Sequence, residues 1–134
     1  MKAALPGAPS PAMSPGYVAY QALHIGFTLI PIVAGIDKFF DRLTNWEQYL
    51  SPAATALFPG DVLMLVIGVG EILGGVLVAV EPRLGARVMI AWLLAIIINL
   101  LMLGSHYDIA LRDFGLVLGA LALTSLSQVQ PRLE

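Results

Sequence analysis

Two side chains in this sequence could handle a proton inside otherwise apolar surroundings: Glu71, halfway along a hydrophobic run over 61–80, and His24, within an earlier run. At helical rise Glu71 stands about 15 Å from either end of its run, too deep for a carboxylate to face hydrocarbon. It must be protonated or meet a partner, and His24 lies at a comparable depth. A neutral imidazole there could share the proton or donate to a quinone carbonyl. The competing reading is packing, with Glu71 a polar clamp between helices and His24 a satisfied interior residue.

His24 belongs to a longer pattern. Tyr17, Gln21, His24, Thr28, Pro31, Gly35 and Lys38 recur at alternating steps of four and three, which sets them on a single helix face. The other positions from Val18 to Ile36 are apolar or glycine. This polar line must face protein, water or a ligand.

A second polar group gathers near Lys38, with Asp37, Asp41 and Arg42 after the first run and His106, Asp108, Arg112 and Asp113 around the start of the last. Opposite charges at one end of a bundle form a structural network. Alternatively, Lys38 and Arg112 could hold an anion such as a sulfur oxyanion. Asn99, in the third run, could hydrogen-bond across the bundle, worth only about 1 kcal/mol in a membrane. The two histidines do not suit one heme iron, since His106 sits at the Lys38 end and Lys38 lies roughly 21 Å along the helix from His24. No metal centre is expected from so sparse a ligand set.

The elements that position these groups follow from composition. The 134 residues are 58% hydrophobic and 12% charged, with a mean hydropathy of +0.85. A soluble domain carries about twice that share of charge. Four runs, about 17–39, 61–80, 86–104 and 109–128, approach the roughly 20 residues that span hydrocarbon. The fold class is therefore all-α, an antiparallel four-helix transmembrane bundle. Residues 1–16, with four prolines, read as a flexible arm, and 129–134 as a tail. A net charge of −2 without a basic run argues against nucleic acid, and the absence of cysteine removes thiolate and iron–sulfur chemistry.

Connections carry their own signals. Glu81-Pro82-Arg83-Leu84-Gly85 reads as the turn between the second and third spans. Asp108 could cap the fourth. In the 40–60 connection, Thr44-Asn45-Trp46-Glu47 fits a capping box and Ser51-Pro52 an N-cap with proline at the first helical position. Short interfacial helices there would form a lid, with Trp46, Tyr49 and Leu50 at the membrane surface. Gly70 with Gly74, and Gly115 with Gly119, are small-xxx-small pairs that let helices approach. Gly68-Val69-Gly70 is not a nucleotide fingerprint, because the spacing is wrong and no strand precedes it. Four cations on the terminal side, Lys2, Arg83, Arg87 and Arg132, against Lys38, Arg42 and Arg112 opposite, place both termini in the cytoplasm.

Over about residues 24–126 the chain resembles the DoxX family of small four-helix membrane proteins. The resemblance rests on Gly35-Ile36-Asp37-Lys38-Phe39, Gly70-Glu71-Ile72-Leu73-Gly74-Gly75 and Leu111-Arg112-Asp113-Phe114-Gly115-Leu116. Lys38 and Glu71 match recurrent family positions, whereas His24 and His106 match none. The resemblance implies quinone-linked electron transfer, as in subunits of thiosulfate:quinone oxidoreductase, in a bacterial-type inner or plasma membrane. On that reading a quinone sits between the first two spans, with His24 and Glu71 as candidate catalytic groups and Thr28 and Asn99 completing the pocket. The alternative is a non-catalytic accessory or assembly subunit docked on a larger membrane complex. A transporter ranks behind both, because four short spans would need to oligomerise to form a gated path.

Overall fold

The computed structural model describes residues 14–129, so the proline-rich arm as far as residue 13, and the tail from 130, lie outside the described residues. Within them the chain is helical without strands: α1 (Pro15–Asp37), a 3₁₀ turn (Trp46–Tyr49), α2 (Pro52–Thr55), α3 (Gly60–Val80), α4 (Pro82–Leu103) and α5 (Tyr107–Val129). The helices α1, α3, α4 and α5 are long and apolar enough to cross a bilayer. The chain is an integral membrane protein built as a four-helix bundle.

The helices pack in chain order around a ring, α1 on α3, α3 on α4, α4 on α5 and α5 back on α1. Each neighbouring pair is antiparallel. Gly35 meets Gly68 while Thr28 meets Gly75, and Val78 meets Gly85 while Gly70 meets Trp92, so residue numbers rise along one helix as they fall along the next. The core is thin: Val78, Ala86, Met89 and Leu123 are buried together, with Tyr20, Leu23, Phe27 and Trp92 packed around them. Large apolar side chains such as Ile25, Leu29, Val33, Val66 and Leu118 point outward. In water this would be an untenable surface; in a bilayer it is the lipid-facing shell.

The polar stripe of α1 lies on the inward side. All seven of its residues are partly or fully buried, while Val18, Ile25, Leu29 and Val33 between them are exposed. Ser14 starts this helix by accepting from the Tyr17 amide at 3.1 Å, ahead of Pro15 at the first position. The helix thus begins two residues inside the segment expected to be an arm. Pro31 sits within α1 without ending it.

Three local expectations change. The turn expected over Glu81–Gly85 is a single residue, Glu81, because Pro82 opens α4 at N1 and Gly85 already lies within it. A Cβ on Gly85 would collide with the backbone of Val78, so glycine allows the two helices to cross at once. α5 is capped by the backbone of His106, whose carbonyl accepts from the Ile109 and Ala110 amides, rather than by Asp108. And Asn45, not Thr44, caps the 3₁₀ turn, accepting from the Glu47 amide at 3.2 Å while Thr44 accepts from the Gln48 side chain. The Ser51-Pro52 start of α2 forms as expected, Ser51 Oγ accepting from the Ala54 amide at 3.2 Å.

The glycines divide by what they touch. Gly35, Gly68 and Gly75 set the α1–α3 separation: a Cβ on Gly35 would stand 2.6 Å from the Gly68 carbonyl oxygen, and one on Gly75 2.7 Å from that of Thr28. Gly70 and Gly74 are instead ledges under α4 side chains, Trp92 and Met89. Gly119 seats the Phe27 ring of α1, whereas Gly115 has open space beside it and is exposed. The second expected small-residue pair is therefore not a shared contact.

Candidate functional site

The bundle is polar inside at two levels, and the structure puts the partners differently from the stripe's promise. Glu71 is buried at the middle of α3, as its spacing required. Its partner is Lys38, not His24: Lys38 Nζ donates to Glu71 Oε2 at 2.8 Å, and the two side chains are only 4% and 11% exposed. Lys38 is the C-cap of α1 and lies against Gly68, whose Cβ position is 3.2 Å from Lys38 Cβ. Side chains lean toward the N-terminus of their helix. A lysine at the end of α1 therefore reaches back down the bundle to the carboxylate.

His24 is committed elsewhere. Its Nε2 donates to the carbonyls of Val78 at 2.9 Å and Ala79 at 3.2 Å, at the far end of α3. Both partners are acceptors, so this nitrogen carries the hydrogen. Val78 is seven residues beyond Glu71, or about 10 Å along the helix. The contact is a cap: an imidazole satisfies carbonyls left without helical partners at a C-terminus. Thr28 bonds back to the His24 carbonyl at 2.7 Å, and Gln21 to the Tyr17 hydroxyl at 2.6 Å. The pocket expected from His24, Thr28, Glu71 and Asn99 does not come together. Nor do the two histidines, since His106 stacks its ring edge-on against Tyr49 at 4.9 Å in the lid.

At the lid end, adjacent residues of α1 hold Trp46 between them. Asp37 accepts its indole N–H at 2.8 Å together with the amides of Arg42 at 3.1 Å and Leu43 at 2.9 Å. Lys38 Nζ sits 3.6 Å from the centroid of the same ring, a cation–π contact that adds to its ion pair. The reversal between them passes through Asp41 at φ +51°, which aspartate tolerates better than most residues. Nothing in the sequence marked Asp37 and Trp46 as partners, because an Asx-type staple depends on where the chain turns.

Asn99 fastens the lid from the other side. Its Nδ2 donates to the Tyr49 carbonyl at 2.6 Å and its Oδ1 accepts from the Ser51 amide at 2.9 Å. One side chain of α4 thus satisfies both backbone groups between the 3₁₀ turn and α2, rather than bridging two spans. Replacing Asn99 with leucine removes both bonds at once. Amide exchange at Ser51, followed by mass spectrometry in detergent, is expected to accelerate about tenfold or more, the loss of roughly 1–3 kcal/mol of local protection. Unchanged exchange would mean the lid is held elsewhere.

Beneath the lid lies a cavity of about 480 Å³ between α3, α4, α5 and the connection, within the range of small-molecule sites. Its walls are chiefly apolar, among them Met64, Ile67 and Ile96, with Trp46, Tyr49 and Trp92 supplying aromatic rings. The polar groups in its lining include Lys38, Asn99 and Asp113. The Trp92 Nε1–H is not one of them: it is buried out of reach of the cavity, with no acceptor among the described residues. Such a donor costs about 1–3 kcal/mol until something accepts it.

The charged group expected around Lys38 divides accordingly. Lys38 and Asp113 line the cavity, and Asp113 lies within electrostatic reach of Glu71. Arg42 and Arg112 are exposed and outside the lining. Among the described residues no three His, Asp or Glu side chains are grouped to hold a metal. Comparison of the chain with family models, curated proteins and solved structures finds no match.

Proposed function

We propose that this chain is a DoxX-like integral membrane subunit of a quinone-linked electron-transfer system, of the thiosulfate:quinone oxidoreductase type, and that the cavity under the lid is its quinone site. The observation that carries this reading is an apolar, aromatic-walled cavity of about 480 Å³ in a transmembrane bundle, with Lys38 and Asn99 in its lining. A quinone ring stacks on aromatic walls, and its carbonyls accept hydrogen bonds. Lys38, with three N–H groups of which one is given to Glu71, is a donor in that lining. The head group accordingly sits at the Lys38 end, remote from His24. Electrons arrive from another subunit or directly from the substrate, since no cysteine is present. The chain sits in a bacterial-type inner or plasma membrane with both termini cytoplasmic.

The test is retention and binding. The full chain, purified in mild detergent, is expected to yield quinone on organic extraction and to bind a short-tailed ubiquinone analogue. Trp92→Leu, which removes an aromatic wall, is expected to weaken that binding about three- to tenfold, the worth of one ring contact. His24→Ala is expected to leave it unchanged. Absence of both retained and added quinone sinks the proposal, and loss of binding in His24→Ala alone moves the site to the other end of the bundle.

One observation favours an accessory role instead. Both groups that looked fit for proton work, His24 and Glu71, are already engaged by protein partners. In that case a large subunit co-purifies stoichiometrically while quinone does not.

A further inference from the structure

The connection that roofs the cavity has two kinds of outer surface. Trp46, Tyr49 and Leu50, expected at the membrane surface, are turned inward and line the cavity instead. On its crest the connection exposes polar side chains, Asn45, Glu47 and Gln48. At its two ends the exposed groups are large and apolar. Phe40 and Leu43 follow α1, Leu57 and Phe58 precede α3, and these four are between 57% and 77% exposed. None of them belongs to a membrane-spanning helix.

Large apolar groups gathered on a surface mark contact with a membrane or with a protein. Continuity decides between the two here. The end of α1 and the start of α3 are neighbours, since the two helices pack antiparallel and Lys38 lies against Gly68. Directly beneath the connection they expose Ile36, Val62, Leu65 and Val66, which belong to the lipid-facing shell. The apolar surface therefore continues from the spans into both ends of the connection. Asp41, Arg42 and Asp61 are exposed beside it, as charges at headgroup level can be. A protein approaching the lid from water would meet the polar crest first. An apolar edge below a polar face is the pattern of a segment lying in the membrane interface.

We infer that the lid is seated in the headgroup layer of the bilayer, with Phe40, Leu43, Leu57 and Phe58 buried as two apolar feet and the crest of Asn45, Glu47 and Gln48 left in water. The feet stand at either end of the roof. Lipid contact thus steadies the segment whose inner side supplies Trp46, Tyr49 and Leu50 to the cavity. This seat does not depend on what the cavity holds, so a failure of the quinone reading leaves it standing.

The chain contains no cysteine, so one introduced thiol carries the only label. Single nitroxide labels are placed in the full chain through Phe40→Cys, Leu43→Cys, Leu57→Cys and Phe58→Cys, with Gln48→Cys on the crest and Val66→Cys on the lipid face of α3 as references. All six positions are exposed, so the label displaces no packed neighbour. In phosphatidylcholine vesicles, power-saturation electron paramagnetic resonance compares collisions with oxygen, which enters lipid, and with a water-soluble nickel chelate. The four foot labels are expected to lie about 5–10 Å into the headgroup–acyl boundary, with Gln48→Cys in water and Val66→Cys deeper than all of them. Either foot reading as water-exposed while Val66→Cys reads as lipid overturns the inference. So does a Gln48→Cys label in lipid, which would sink the whole lid. Each foot has two positions, so where one variant loses its helical circular dichroism the other decides.

Discussion

Replacing Glu71 with leucine is expected to destabilise the bundle by about 3–5 kcal/mol, the usual cost of removing one member of a buried ion pair. The penalty comes from what remains. Lys38 Nζ, in a side chain 4% exposed, would keep only the face of Trp46 and the more distant attraction of Asp37 as compensation. A cation in that position must lose its proton, draw in water or pull α1 away from α3. The double substitution Lys38→Met with Glu71→Leu removes both charges and is expected to recover most of the loss, because apolar pairs of similar volume replace buried ion pairs at little cost. Unfolding in mixed micelles by titration with a denaturing detergent would measure the cycle. A coupling below about 0.5 kcal/mol would show that the pair contributes nothing specific to α1–α3 packing.

That pair also sets the site. Lys38 reaches Glu71 while holding Trp46, and Trp46 in turn is a wall of the lid cavity. Loss of the carboxylate is therefore expected to loosen the lid as well as the bundle. The buried Lys38–Glu71 pair fits either duty, architecture or ligand binding. The double variant separates them: a restored fold with lost quinone affinity assigns the charges to the site, and restoration of both assigns them to packing.

Gly35→Val is expected to cost about 3 kcal/mol, at the upper end of the overpacking range. Its first new carbon would stand 2.6 Å from the Gly68 carbonyl oxygen and 2.8 Å from Ile72 Cγ1. The isoleucine can rotate aside, but the backbone oxygen cannot, so α1 must move off α3 and lengthen the Lys38–Glu71 contact. Gly115→Ala supplies the contrast. It lies exposed in α5 with nothing beside it, and alanine there is expected to be neutral or to stabilise by up to about 1 kcal/mol through helix propensity. Thermal unfolding of both variants in the same detergent measures the difference. Equal midpoints would mean that the close α1–α3 approach is not a determinant of stability.

Much of this protein was legible from local pattern. Hydrophobic runs of bilayer length, the alternation of the α1 stripe and the isolation of Glu71 in a deep apolar run all depend on the rise and periodicity of a single helix. The Ser51-Pro52 signal at α2 is equally local. So is the need of Glu71 for a partner, because the cost of a bare carboxylate in hydrocarbon does not depend on which neighbour relieves it.

The choice among partners was not local. Depth along a span offered His24, but the α1–α3 register is set where Gly35, Gly68 and Gly75 let two backbones meet, and the backward lean of a terminal lysine then gives Glu71 to Lys38. His24, displaced by that register, caps the end of α3. Asn99 finds the lid because the chain reverses at Asp41, and Trp92 and Asp113 share a cavity because α4 and α5 face it together. The amino-acid order by itself determined which segments enter the membrane and which face of the first turns inward, since those follow from one helix's geometry and the cost of burying polarity. Only the tertiary structure decided which polar groups meet and which stay unsatisfied, since that depends on offsets between helices that no single-helix period contains.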